Sequence, residues 1–274
     1  MLLLKKVTKV FNKGGINEKV ALDGVDLSLQ AGEFVTIIGS NGAGKSSLLN
    51  AVAGMWPIDV GRIIVEGEDI TAMRDYQRAA FIGRVFQDPL LGTAASMTIE
   101  ENLALAVRRG QRRGLRKALN GPARIRMKEE LAKLGLGLED RLTTPVGLLS
   151  GGQRQALTLL MAILQRPKLL LLDEHTAALD PKTGEKVLAL TKTIVEEAGL
   201  TTLMVTHNIN DSLRIGSRTV MMHEGRIVFD ISGQERKQMT TQDILRQFEK
   251  NSGKQLANDR LLLFAKVKTS DDIA

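Results

Sequence analysis

The sequence predicts an α/β fold in which a mostly parallel sheet carries helices on both faces, preceded by a β-rich segment and interrupted by a helical block. Three observations carry this. The first 38 residues read as strand. Strand and helix patterns alternate from Phe34, and again from Lys168, which is the pattern of a parallel sheet. Between about Leu90 and Leu149 the pattern is helical alone.

The elements follow in order. "LLLKKVTKVF" and "VALDGVDLSL" alternate apolar and polar residues, as half-exposed strands do. "FVTIIG" is a continuous apolar run, hence a buried strand. A helix is predicted from about Lys45 to Ala53, then a turn at "WPIDVG" and a strand at "RIIVEG". "IGRVFQ" reads as a strand ending at Gln87, with Asp88-Pro89 breaking it. "MTIEENLALAV" opens with Thr98 and, three residues on, Glu101, the spacing of a capping box. Gly110, Gly114, Gly121 and Pro122 are read as interruptions of the region that follows. "KLLLLD" is a buried strand, "GEKVLALTKTIVEEAG" a helix and "TTLMVTH" a strand, with a helix from about Asn210. "RTVMMHEGRIVFD" is a hairpin turning at Glu224-Gly225. The division expected is one domain over residues 1–274. Residues 1–88 and 161–250 form its core, 89–160 a helical subdomain and 251–274 a tail, whose "RLLLFAKV" fits no element.

Composition narrows the function. The chain has 274 residues, 43% hydrophobic and 25% charged, enough for a sizeable core. It has no cysteine, which excludes disulfides and thiolate metal sites and fits a reducing compartment. "MLLLKK" is too short for a signal peptide, and no run reaches the roughly 18 apolar residues of a membrane span. A cytosolic protein is expected. The net charge of +7 is local: Arg108 to Lys128 holds nine Lys/Arg and no acid, so the remainder sums to 7 − 9 = −2. That run can be a solvated helical face, a surface near anionic lipid headgroups, or a nucleic-acid patch, although no aromatics interleave it.

The chemistry centres on "GSNGAGKS", which fits G-x-x-x-x-G-K-[ST] at Gly39, Gly44, Lys45 and Ser46. It follows an apolar strand and opens a helix. Such a loop turns the N–H groups of Ser40, Asn41, Gly42, Ala43 and their neighbours through Ser47 onto phosphates. Lys45 reaches the β- and γ-phosphates and the Ser46 hydroxyl ligates Mg²⁺. "LLLLDE" delivers Asp173 to the C-terminal end of a buried strand, where it suits the Mg²⁺ shell, and Glu174 is the candidate general base for water. Gln87 could contact metal and water or cap a turn. His207, at another strand end, could hydrogen-bond a γ-phosphate. A second anion site lies at Ser150-Gly151-Gly152-Gln153, a helix start with no metal chemistry. It could bind a second nucleotide weakly, or complete the first site of another copy.

"LSGGQRQ" shortly before "LLLLDEHTAALD", with "GSNGAGKSS" upstream, resembles the nucleotide-binding subunits of ABC transporters over about residues 1–230. The resemblance implies the ABC ATPase fold: a P-loop NTPase core with a mostly parallel sheet, an N-terminal antiparallel β subdomain and an inserted helical subdomain. It implies ATP and Mg²⁺ as cofactors and a head-to-tail dimer in which Ser150, Gly151, Gly152 and Gln153 of one copy cap the ATP on the other's Gly39–Ser47 loop. Gln87 then matches the Q-loop glutamine, His207 the switch histidine, Asp180 a dimer-seam aspartate, and Phe11 the aromatic that stacks on adenine. His175 and Ala177 stand where the family commonly has proline and serine, and neither change removes a catalytic group.

Within the family, "VFQDPLLGTAASMTIEENLALA" and "THNINDSLRIGSRTVMMHEGRIVFDISG" look like a bacterial subgroup that works with permeases and substrate-binding lipoproteins. The resemblance therefore implies an ATPase on the cytoplasmic face of the membrane. It would drive import of an amino-acid-like solute through separate membrane permease subunits, served by an extracytoplasmic substrate-binding protein and with no nucleic acid. The alternative is a soluble ABC ATPase acting on nucleic acid or ribosomes, for which only the basic run speaks.

Overall fold

The computed structural model describes residues 1–111 and 119–252. Arg112, Arg113, Arg116 and Lys117 of the basic run, and residues 253–274 with the "RLLLFAKV" stretch, lie outside the described residues. In chain order the elements are β1 (Leu2–Phe11), β2 (Lys19–Leu29), β3 (Phe34–Gly39), α1 (Lys45–Ala53), β4 (Val60–Val65), β5 (Glu68–Asp69), α2 (Asp75–Arg78) and β6 (Ile82–Val85). Then come α3 (Ile99–Val107), α4 (Gly121–Ala132), α5 (Gly151–Ile163), β7 (Leu169–Asp173), α6 (Pro181–Ala198) and β8 (Thr201–Val205). The last are α7 (Ile209–Arg214), β9 (Arg218–His223), β10 (Arg226–Ser232), α8 (Gly233–Gln238) and α9 (Thr241–Ser252). The chain divides into two compact units, one of Met1–Val52, Trp56–Thr71 and Met204 onward, the other of Ala53–Met55 and Ala72–Leu203.

The first unit contains an antiparallel sheet of order β2-β1-β4-β5. β1 buries Leu2, Leu4 and Val7. Its ladder slips between Leu4 and Val7, where Lys6 takes a left-handed φ of 47°. The unit also holds β10-β9-β3, an antiparallel hairpin with β3 parallel to β9. Phe34 to Ile38 are all buried, as a strand covered on both faces requires. The end of β8 joins them: the Thr206 N–H donates to the Ile37 carbonyl at 3.0 Å. The hairpin turns at Glu224 and Gly225, with φ of 47° and 80°, the two left-handed residues of a type I′ turn.

Residues 233–252, to which the sequence analysis assigns no element, form α8 and α9. Ile244, Leu245 and Phe248 of α9 pack on Ile38, Ile209 and Met221. Arg236 of α8 is buried and donates to the Ser212 and Ile215 carbonyls at 2.5 and 2.8 Å, satisfying backbone groups at the end of α7.

The second unit pairs β6 with β7 in parallel, from Ile82↔Leu169 to Val85↔Leu172. Its core gathers Ile99, Leu103, Leu131, Leu138, Val146 and Leu157 from α3, α4, α5 and the loops between them. The α3 capping box is present, with the Thr98 N–H on Glu101 Oε2 at 2.8 Å and the Glu101 N–H on Thr98 Oγ1 at 3.3 Å. Buried Asn102 ties the approach to α3 down, accepting from the Ala94 N–H at 2.8 Å and donating to the Ala94 and Thr98 carbonyls.

Several boundaries differ from the sequence reading: α6 begins three residues earlier, at Pro181, and β4 takes in Val60 and Gly61 of the expected turn. Gly121-Pro122, read as an interruption of the basic region, begins α4. Proline is tolerated in a first turn, where its missing N–H costs nothing, and Asn120 Oδ1 accepts from the Ala123 N–H at 2.9 Å. β6 stops at Val85, two residues before Gln87, because the Phe86 carbonyl accepts a bond from Gln155 Nε2 of α5 at 3.3 Å. Two cations of the basic run have partners within the chain. Arg124 makes a two-pronged contact with Glu100 at 2.6 and 2.9 Å, and Arg109 Nη2 donates to the Ala162 carbonyl at 2.8 Å. No helix among the described residues is long and apolar enough to cross a membrane.

Candidate functional site

The first unit carries the phosphate loop. β3 ends at Gly39, the loop runs through Ser40, Asn41, Gly42, Ala43 and Gly44, and Lys45, Ser46 and Ser47 open α1. The glycines are required by backbone shape. Gly39 and Gly44 have φ of 149° and 101°, and a Cβ there would lie 2.3 Å from the Met222 carbonyl oxygen and 2.5 Å from that of Ala21. Lys45 is buried, and its ammonium donates to the Gly39 and Ser40 carbonyls at 2.8 and 3.0 Å. The cation is thereby folded back over its own loop, while Asn41, Gly42 and Ser46 are exposed.

His207 is on the same unit, one residue beyond the Thr206–Ile37 hydrogen bond and so beside the strand that enters the loop. It is half-buried, and Asn208 after it caps α7 through the Asn210 N–H at 2.9 Å. Phe11, half-buried, ends β1. Its ring meets that of Trp56 at 5.2 Å and 87°, and Lys9 Nζ lies over it at 5.5 Å.

The second unit brings together the other predicted residues. Asp173 ends β7, and Glu174 follows in a left-handed conformation with φ of 44°, costly for a non-glycine residue and common where function fixes the backbone. Arg84 of β6 approaches Asp173 at 3.5 Å, both side chains being 13% exposed. Burial lowers the Arg84 guanidinium below its ordinary pKa, and the Asp173 carboxylate opposes that shift. Gln87 is exposed between β6 and a short turn capped by Asp88.

Ser150 caps α5. Its Oγ accepts from the Gln153 N–H at 3.3 Å, and Gln153 Oε1 accepts from the Ser150 N–H at 3.2 Å. Gly151 is exposed, and Gly152 is packed so closely that a Cβ would lie 2.3 Å from Thr183 Cγ2. Asp180 caps α6 by accepting from the Thr183 N–H at 3.0 Å, and bonds from Thr183 hold its carboxylate below the usual range.

His175, buried just after the carboxylates, has a defined partner. Its Nε2 lies 2.9 Å from Thr191 Oγ1. That hydroxyl already donates to the Val187 carbonyl at 2.8 Å, so it accepts from His175, which is the Nε2–H tautomer. Nδ1 is buried with no partner among the described residues, and burial pulls the imidazole pKa down to about 4. In the unfolded chain the imidazole keeps its ordinary value near 6.5 and therefore binds more protons below that pH. This contribution is complete above about pH 6.5 and is lost progressively as pH falls toward 4, by about 3 kcal/mol in all. His175→Gln is expected to flatten the fall. Urea midpoints of parent and variant between pH 7.5 and 4.5 check this, and parallel curves would count against it.

Three contributors escaped the sequence reading. Arg84 interrupts an apolar strand, and Gln155 falls on the buried face of α5; each is a polar residue at an inward position, which was the available signal. Trp56 left no signal beyond its turn.

Comparison with known proteins decides the family. A sequence profile described as ABC transporter matches residues 22–177. The chain is 44% identical over 249 residues to the tyrosine transport ATP-binding protein of Clostridioides difficile (strain R20291), covering 91% of this chain and 99% of that one. The chain belongs to the ABC transporter family. It is an ABC ATPase, an ATP-binding subunit. Its identity to the methionine import ATP-binding protein MetN of Rhizobium johnstonii (strain DSM 114642 / LMG 32736 / 3841) is 39% over 211 residues, 76% of this chain but 56% of that longer one. Among solved structures it is similar to the ATP-binding cassette MJ0796, in a dimeric post-hydrolysis state bound to ADP and Pi. The TM-score is 0.73 at 32% identity, covering 85% of this chain and 98% of that one. The ABC ATPase fold expected from the motifs is the fold found.

Proposed function

We propose that this cassette pairs head-to-tail with a second copy and hydrolyses ATP to drive import of an amino-acid-like small solute through separate membrane permease subunits. The observation that carries this reading is the near full-length similarity to a tyrosine transport ATP-binding protein, and methionine import relatives point the same way. The dimeric state of the similar cassette MJ0796 supports the pairing. An extracytoplasmic substrate-binding protein completes the system, and the cassette works at the cytoplasmic face of the membrane as a peripheral subunit.

The residue roles follow from chemistry. Lys45 and the N–H groups of Gly39–Ser47 bind the phosphates, and Phe11 stacks on the base. By motif, Ser46 supplies a hydroxyl, Asp173 a carboxylate and Gln87 an amide oxygen, donor types that suit a hard Mg²⁺ ion sharing its shell with phosphates and water. Mg²⁺ would neutralise charge on the phosphates. Glu174 takes a proton from the attacking water, and His207 hydrogen-bonds the γ-phosphate. Ser150, Gly151, Gly152 and Gln153 close the site of the partner copy, with Asp180 at the seam.

The permease has a fitting surface on the second unit. A groove of about 1090 Å³ is lined by Met55, Tyr76, Leu91, Leu105 and Met161. Tyr76, Leu91 and Leu105 are 65, 70 and 55% exposed, an apolar patch suited to a protein partner. Against the nucleic-acid alternative, Arg109 of the basic run bonds the Ala162 carbonyl and Arg124, though exposed, is paired with Glu100. The test is a mild-detergent pull-down of the cassette from its native membranes with mass spectrometry of the partners. A multi-span permease and a lipoprotein are expected. A permease without a capture protein would remove the import half of the proposal, and ribosomes or DNA without membrane protein would overturn it.

A further inference from the structure

The turn that begins at Trp56 grips the end of β1 at several points. The Asp59 N–H donates to the Thr8 carbonyl at 2.9 Å, and Asp59 Oδ2 accepts from the Val10 N–H at 2.6 Å. Asp59 Oδ1 lies 3.4 Å from Lys9 Nζ, whose residue is 8% exposed. The Val10 N–H bond, assisted by the Lys9 charge, keeps the Asp59 carboxylate ionised at lower pH than usual. These bonds hold the backbone just before Phe11 and the ammonium that lies over its ring, while Trp56 packs on the ring itself. Trp56 is the only tryptophan in the chain.

We propose that the Trp56–Asp59 turn is a positioning element of the nucleotide site, holding the Phe11 ring in place for the base. This rests on Phe11 being the base-stacking residue. Phe11 stands at a strand end, where two rotatable side-chain bonds would let an unsupported ring turn away. A ring fixed before the base arrives costs less to order on binding, so the turn acts on affinity for the base and not on the phosphates, which the separate Gly39–Ser47 loop receives. An aromatic pair of this geometry contributes enough to change binding several-fold.

The experiment measures affinity of the full chain for ATP and for inorganic tripolyphosphate, which lacks a base, in Trp56→Leu, Trp56→Phe, Asp59→Asn and Phe11→Ala variants. Trp56→Leu is expected to weaken ATP by about five-fold and leave tripolyphosphate unchanged, with Trp56→Phe restoring most of the loss. Asp59→Asn should lower ATP affinity in the same selective way. In the parent, ATP should shift the emission of the single tryptophan and tripolyphosphate should not. Equal weakening of both ligands by Trp56→Leu and Asp59→Asn would make the turn purely structural and overturn the proposal, as would unchanged ATP affinity in both. If Phe11→Ala binds ATP as tightly as the parent, the base-stacking reading itself fails, a result distinct from failure of the turn.

Discussion

Glu174→Gln is expected to cut steady-state ATP turnover by about 10²- to 10⁴-fold, the range a positioned general base contributes. Glutamine keeps the length of the side chain and can occupy the same left-handed backbone position, where φ is 44° and the Glu174 carbonyl accepts from the Ala177 N–H at 2.9 Å. What it loses is the ability to take a proton from water. Binding of ATP should therefore survive. Because the proposed dimer is held by the uncleaved nucleotide, the variant should elute as a dimer in size-exclusion chromatography with ATP and as a monomer without it. Unchanged turnover would remove Glu174 from its role, and lost turnover without ATP-dependent dimerisation would place the defect in binding.

The second large effect is expected at Lys45. Lys45→Ala should weaken ATP and ADP binding by on the order of 10²-fold, because charge-assisted hydrogen bonds to phosphate are each worth roughly 1.5–3 kcal/mol. In the structure that ammonium bonds to the carbonyls of Gly39 and Ser40. Binding of phosphate exchanges those neutral acceptors for charged ones. Titration calorimetry with both nucleotides checks the prediction, with circular dichroism showing that the variant is folded. Binding of ADP within a factor of two of the parent would refute it.

Much of the fold was legible because its signals are local. The Gly39–Ser46 motif is a contiguous strand, loop and helix, and its glycines are demanded by dihedral angles that only glycine adopts readily. The Thr98–Glu101 box and the Glu224-Gly225 turn are encoded within four residues. The misreadings lie where a distant group overrides local preference. β6 ends early because Gln155, 69 residues on in sequence, takes the Phe86 carbonyl. Gly121-Pro122 is a local case by contrast: read as an interruption of the basic region, it opens α4 because the adjacent Asn120 supplies the cap.

The sequence by itself determined the phosphate loop, the carboxylates at the end of a buried strand, the capped start of α5 and the order of strands and helices. All of these depend on residue spacing, backbone preference and hydrophobic period over short windows. Only the tertiary structure decided that Arg84 stands beside Asp173, that His175 is a neutral imidazole bonded to Thr191, and that Trp56 and Asp59 hold the end of β1. Those pairs are 89, 16, 45 and 49 residues apart. No short-range preference specifies them. They form because burying the apolar faces of β1, β6, β7 and α6 brings these side chains together, and a buried polar group then keeps whichever partner the packing supplies.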